Sequence, residues 1–155
     1  MHRWTRDTIE ISTDPQRLDV ALIHEFLART YWSPGIPEDI VRRGIDHSVC
    51  FGVYEHGKQI GFARAVTDRA TFAYLCDVFV LPACRGRGIS KFLMESILAH
   101  PELQHLRRWM LATADAHGLY QQFGFKPLGR PDRIMEIVTP DVYQRLGFPD
   151  PREPT

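Results

Sequence analysis

The chain is short of several things, and each shortage narrows what it can be. It has three cysteines, Cys50, Cys76 and Cys84, and no two of them form a CxxC pair. An odd, widely spaced set does not build a disulfide framework or a zinc knuckle, and it suits a reducing compartment. No run of 18 apolar residues is present, so nothing reads as a membrane-spanning helix and no membrane partner is expected. The first residues, MHRWTRDTIEIS, lack the apolar stretch of a secretion signal, and a cytoplasmic location is the expectation. An excess of one charge is missing too: 19 basic residues balance 19 acidic ones. A nucleic-acid partner normally leaves a basic surplus, so none is expected. The seven histidines show no ligand spacing, and no metal is expected.

What is present fits one globular domain. Hydrophobic residues make up 44% of 155 and charged residues 25%, a balance that can bury a core. We place that domain at residues 1–148. A tail at 149–155, PDPREPT, is too rich in proline and charge to pack.

The run TIEIS (8–12) alternates like a short strand. Thr13 or Asp14 can cap a helix opened by Pro15 and running to about Thr30. YWSPGIP (31–37) breaks it, and Pro37 opens a second short helix. SVCFGVYE (48–55) and KQIGFARAVTD (58–68) form a hairpin through His56-Gly57. TFAYLCDVFV (71–80) is nearly all apolar and reads as a central strand. From Ile89 the period turns helical, with Phe92, Leu93 and Ile97 on one stripe. RRWMLAT (107–113) reads as a strand and DAHGLYQQF (115–123) as a helix ended by Gly124. Two final strands are expected near Lys126–Leu128 and Ile134–Val138. The resulting order, β-α-α-β-β-β-α-β-α-β-β, implies an α/β fold whose central sheet is mixed, partly antiparallel, and flanked by helices.

The stretch CRGRGIS (84–90) lies between the apolar strand and the helix after it. A glycine-rich turn that opens a helix aims several backbone N–H groups at one point, where the helix dipole adds positive potential. Arg85 and Arg87 can add charge-assisted bonds to phosphate oxygens. The physical case is for a phosphate or pyrophosphate cradle; the plain alternative is an arginine-rich turn capping a helix. The dinucleotide fingerprint fails, since its third glycine falls at Lys91, and no GxxxxGK[ST] stretch exists.

A second segment, AHGLYQQFGF (116–125), stands about 30 residues downstream. Together with RGRGIS it resembles the GNAT superfamily of N-acetyltransferases, in which R/Q-x-x-G-x-G/A binds the pyrophosphate of acetyl-CoA. Arg85, Gly88 and Ser90 stand at the three named positions, Gly86 supplies an extra glycine, and Val80-Leu81-Pro82 matches the V-x-P before the loop. The likeness in element order covers about residues 7–138. Two positions depart from it. Ser90 replaces the usual Gly or Ala, and Thr113 stands where many members carry asparagine, seven residues before the tyrosine.

The resemblance implies an N-acetyltransferase that moves an acetyl group directly from acetyl-CoA, its co-substrate, to a primary amine of a small molecule or peptide. The loop Arg85, Gly86, Arg87, Gly88, Ile89, Ser90 would hold the pyrophosphate, with Thr113 a further cofactor contact. Backbone groups of Val78, Phe79 and Val80 would bond the pantetheine arm, and Tyr120 would protonate the leaving thiolate. A phenol is a plausible donor to a thiolate of similar basicity. Asp77, the one carboxylate in its apolar strand, either accepts a proton from the amine or forms a salt bridge to a neighbour such as Arg64. Tyr31 and Trp32 either line the acceptor pocket or pack against the sheet. Cys76 is expected in the core, and Cys84 is structural. A non-catalytic acyl-CoA sensor on the same fold is the alternative function, and apolar edge strands leave a homodimer open.

Overall fold

The computed structural model describes residues 1–154; Thr155, the end of the expected tail, lies outside them. The chain divides into two compact units. The first holds Met1–Leu18 and His47–Phe125, and the second holds Asp19–Asp46 and the segment from Lys126 onward.

The first unit is built on one six-stranded sheet in simple sequence order. Its strands are β1 (Arg3–Arg6), β2 (Ile9–Ser12), β3 (Val49–Glu55), β4 (Lys58–Thr67), β5 (Phe72–Val80) and β6 (Arg108–Leu111). Every neighbouring pair is antiparallel except β5 and β6, which run parallel. The mixed α/β class is therefore as the sequence implies. β3 is buried along nearly its whole length, which explains its unbroken apolar run. Ile11, Phe51, Val53, Ala63, Leu75, Leu93 and Ile97 make one cluster that joins the sheet to the helix after β5.

The second unit carries the helix pair α1 (Val20–Leu27) and α2 (Glu38–Asp46). Asp19, not Thr13 or Asp14, caps α1, accepting from the Leu22 N–H at 3.0 Å. Asp14 instead caps a separate single turn of 3-10 helix at Pro15–Arg17. Between α1 and α2, Gly35 adopts φ +73 and approaches Pro149 so closely that an added Cβ would lie 2.6 Å from its carbonyl oxygen. Gln144 reaches the same loop, donating to the Pro34 carbonyl at 2.8 Å.

Two expectations fail at the ends of the chain. An additional strand, β1, pairs with β2 through a turn at Asp7, whose φ is +53. Its residues RWTR are too polar to announce a strand, and most are exposed, as an edge allows. The two final strands do not form. Residues 126–130 have no regular structure, and Pro127 has no N–H to give a ladder. Residues 134–138 are irregular and solvent-facing, with Met135 95% and Ile137 102% exposed. Apolar, β-branched composition makes a strand only where a neighbouring strand supplies bonds and a face to cover. A 3-10 turn at Pro131–Arg133 and a short helix at Val142–Arg145 occupy this region instead.

Candidate active site

β5 and β6 pair only from Phe72 with Arg108 to Leu75 with Leu111. β5 then continues to Val80, and among the described residues no strand pairs with its β6-side edge beyond Leu75. A length of strand backbone, Cys76 to Val80, is thus left beside a gap.

Within this length the strand is irregular. Phe62 pairs with Phe79 but Arg64 pairs with Cys76, so Asp77 and Val78 together face the single residue Ala63. That is a β-bulge, which bends a strand and re-aims the residues beyond it. Its first residue, Asp77, sits at φ +55. Asp77 is 9% exposed, and its carboxylate accepts from Arg64 Nε at 2.8 Å. Arg64 Nη1 donates in turn to Ser48 Oγ at 3.0 Å. Of the two roles weighed for Asp77, the geometry supplies the salt bridge. Cys76 next to it is pushed up to about 12, chiefly by burial, and remains a thiol at neutral pH.

Beyond β5, a 3-10 turn at Pro82–Cys84 leads into the CRGRGIS loop, and helix α3 runs from Ile89 to Leu98. Gly86 and Gly88 adopt φ +79 and +75, and added Cβ atoms would meet nothing there. Glycine is needed for backbone conformation, and the side left open is solvent. The first helical bond runs from the Phe92 N–H to the Gly88 carbonyl at 3.1 Å. Among the described residues, the N–H groups of Gly86, Arg87, Gly88, Ile89, Ser90 and Lys91 find no acceptor within the protein. Six consecutive donors at the start of a ten-residue helix are what an anion cradle requires.

The two arginines diverge. Arg85 Nε donates to the Val80 carbonyl at 3.0 Å, so this side chain folds back onto the end of β5. Arg87 reaches across to β3, where Nη1 donates to Glu55 Oε1 at 3.0 Å and Nη2 to Oε2. Thr8 Oγ1 donates to the same carboxylate at 2.6 Å. These two partners hold Glu55 at about 2, well below the ordinary carboxylate value. Sequence reasoning missed Glu55. Nothing in its own neighbourhood, the end of a hairpin strand, signals a link to a loop 32 residues on.

Helix α4 (His117–Gln121) carries Tyr120, which is 9% exposed and shares the core cluster with Val80, Ile89 and Phe92. Its ring meets Phe125 edge-on, with centroids 5.9 Å apart. Thr113 Oγ1 accepts from the Ala116 N–H at 3.0 Å and so holds the turn into α4. Tyr31 and Trp32 lie in the second unit. They stack edge-on at 4.9 Å and are 50% and 42% exposed.

A model described as the Acetyltransferase (GNAT) family matches residues 18–125, more than half the chain. The chain belongs to the GNAT acetyltransferase family. A GNAT-family protein of known structure from Xanthomonas campestris pv. campestris, itself described as a candidate acetyltransferase, is 52% identical, with TM-score 0.87. That match covers 90% of this chain and 99% of the other. A candidate acetyltransferase from Gibberella zeae is 34% identical over 141 residues, covering 76% of this chain and 78% of the relative. The chloroplastic serotonin N-acetyltransferase 2 of Oryza sativa subsp. japonica is 33% identical over 137 residues. The match takes in 84% of this chain but only 62% of the rice enzyme. Within the acetyltransferase, the loop before α3, the bulged end of β5 and Tyr120 on α4 all belong to the first unit.

Proposed function

We propose that the protein transfers an acetyl group from acetyl-CoA to a primary amine of a small molecule or peptide, in the cytoplasm. The observation that carries this reading is the run of N–H donors from Gly86 to Lys91, in the loop that follows the end of β5 left unpaired by β6. A diphosphate is the group such a cradle suits. The adjoining strand edge suits an amide-containing arm, because extended backbone beside a gap offers N–H and C=O groups at regular spacing.

In this reading Gly86, Gly88, Ile89 and Ser90 bind the pyrophosphate through their N–H groups. Arg85 adds charge, since its bond to Val80 uses only Nε and leaves the other guanidinium N–H groups to the ligand. Arg87 contributes less, being held by Glu55. Val78, Phe79 and Val80 bind the arm. A neutral amine attacks the thioester carbon, the C–N bond forms, the C–S bond breaks and Tyr120 gives its proton to the departing thiolate; the proton shed by the amine nitrogen passes to water, from which Tyr120 is reprotonated. Direct transfer agrees with the nearest cysteine in the strand: a thiol at about 12 is a poor nucleophile at neutral pH. Tyr31 and Trp32, in the second unit, are exposed aromatics of the kind that binds an apolar carbon skeleton. The rice relative's name points to serotonin as the first acceptor to try.

The test supplies acetyl-CoA with a panel of amines, serotonin and tryptamine among them, and follows release of free thiol. Amine-dependent thiol release is expected. Tight CoA binding with no release for any amine or peptide would favour the sensor alternative. In a Tyr120→Phe variant, kcat should fall on the order of 100-fold with KM for acetyl-CoA nearly unchanged. Full activity in that variant would remove the general-acid role.

A further inference from the structure

Asp77 stands where a protein normally puts glycine. In a bulge whose first residue has φ near +60°, that residue is usually Gly, because a Cβ is strained there. Asp and Asn are the side chains that tolerate this region best. Asp77 has φ +55, and its carboxylate is bound by Arg64, which is bound by Ser48. The three residues come from three places in the chain: Ser48 just before β3, Arg64 on β4, and Asp77 on β5. They tie the bulge to β4 and to the residue that leads into β3. The bulge in turn sets where Val78, Phe79 and Val80 direct their backbone groups.

Resting on the acetyltransferase reading above, we propose that Asp77 is a positioning residue and not the base. The chain Ser48–Arg64–Asp77 holds β5 in its left-handed kink so that the strand edge meets the thioester arm correctly. A carboxylate already accepting a guanidinium N–H at 2.8 Å is poorly suited to take a proton from an ammonium in each cycle. Burial works against the charge on Arg64, but a guanidinium is too basic to lose its proton, and Asp77 beside it favours the charged form. The cation therefore stays in place to hold Asp77.

Three variants separate the two roles. Asp77→Asn keeps an oxygen for Arg64 and a side chain that tolerates the left-handed region, but it cannot act as a base. Asp77→Ala loses both the bond and the conformational tolerance. Asp77→Gly paired with Arg64→Met permits the kink but removes the chain that holds it, together with both charges, so that no buried cation is orphaned. CoA is first titrated into the wild-type protein; a failure to bind overturns the acetyltransferase reading and this proposal together. With binding present, positioning predicts that Asp77→Asn keeps kcat and KM within about threefold, with the acid limb of the pH profile unmoved, and that the Gly/Met pair keeps kcat within about threefold but raises KM for acetyl-CoA. Asp77→Ala should then raise KM for acetyl-CoA tenfold or more while melting cooperatively. A base predicts that all three lose kcat alike, by 100-fold or more, with KM unchanged. That second pattern would overturn the proposal and leave the acetyltransferase reading standing.

Discussion

Arg85 and Arg87 are two residues apart and meet entirely different partners. Arg85 turns back to the Val80 carbonyl, while Arg87 crosses to Glu55. A repeated RG pattern suggests equal roles, and local sequence offers no means of telling them apart. The difference is measurable. Glu55 is held at about 2 against an ordinary 4.5, first by Arg87 and then by Thr8. A carboxylate with a lowered pKa contributes stability above its unfolded value, and that contribution is lost as pH falls. For Glu55 the loss falls between about pH 4.5 and about pH 2. Carbon-13 NMR of the Glu55 carboxyl should show a midpoint near 2 in the wild type and a clearly higher one in Arg87→Ala. An unchanged midpoint would mean that Arg87 does not hold it. Arg85→Ala should weaken CoA binding tenfold or more, as loss of a charge-assisted phosphate bond does, with the melting temperature little changed. Gly88→Leu should weaken it at least as much. Its fold cost is the roughly 1–2 kcal/mol of a side chain in the left-handed region. Equal affinity in both variants would sink the cradle.

At the scale of elements, the helix after the loop and the strands β3, β4 and β5 were legible in the sequence. Ile89, Phe92, Leu93 and Ile97 recur at helical spacing, and all are buried. The bulge was not legible. TFAYLCDVFV reads as an unbroken strand, and only the register of β4 against β5 shows two residues facing one. The lone Asp in that run was the one available signal, and it pointed to an ion pair or a base, not to a kink. A neighbouring glycine supports the same region from the other strand. Gly61 pairs with Val80, and a Cβ there would lie 2.8 Å from the Phe79 carbonyl oxygen and 3.2 Å from Val53. The nearest atom is backbone, which cannot swing away. Gly61→Ala should therefore cost ~1–3 kcal/mol in chemical denaturation, as overpacking does. A neutral result would show that the end of β5 gives way easily.

At the scale of the whole molecule, the family and the mixed sheet were readable because they rest on a loop motif and on period changes, both local in sequence. The ends of the chain were not, because strand formation there depends on partners. RWTR pairs despite its polarity since β2 lies beside it, whereas residues 134–138 stay irregular despite being apolar. Gly35 shows a comparable long-range tie, meeting the carbonyl of Pro149. The acceptor is the part least written in the chain: net charge is zero, and Tyr31 and Trp32 supply aromatic surface without choosing a substrate. The central claim concerns the donor, and calorimetric titration at fixed salt tests it most directly, with CoA, pantetheine, ATP and NAD compared on one preparation. The account predicts that CoA binds, that pantetheine without the pyrophosphate binds far more weakly, and that ATP and NAD bind more weakly than CoA. Pantetheine binding as tightly as CoA, or a preference for ATP or NAD, would contradict it.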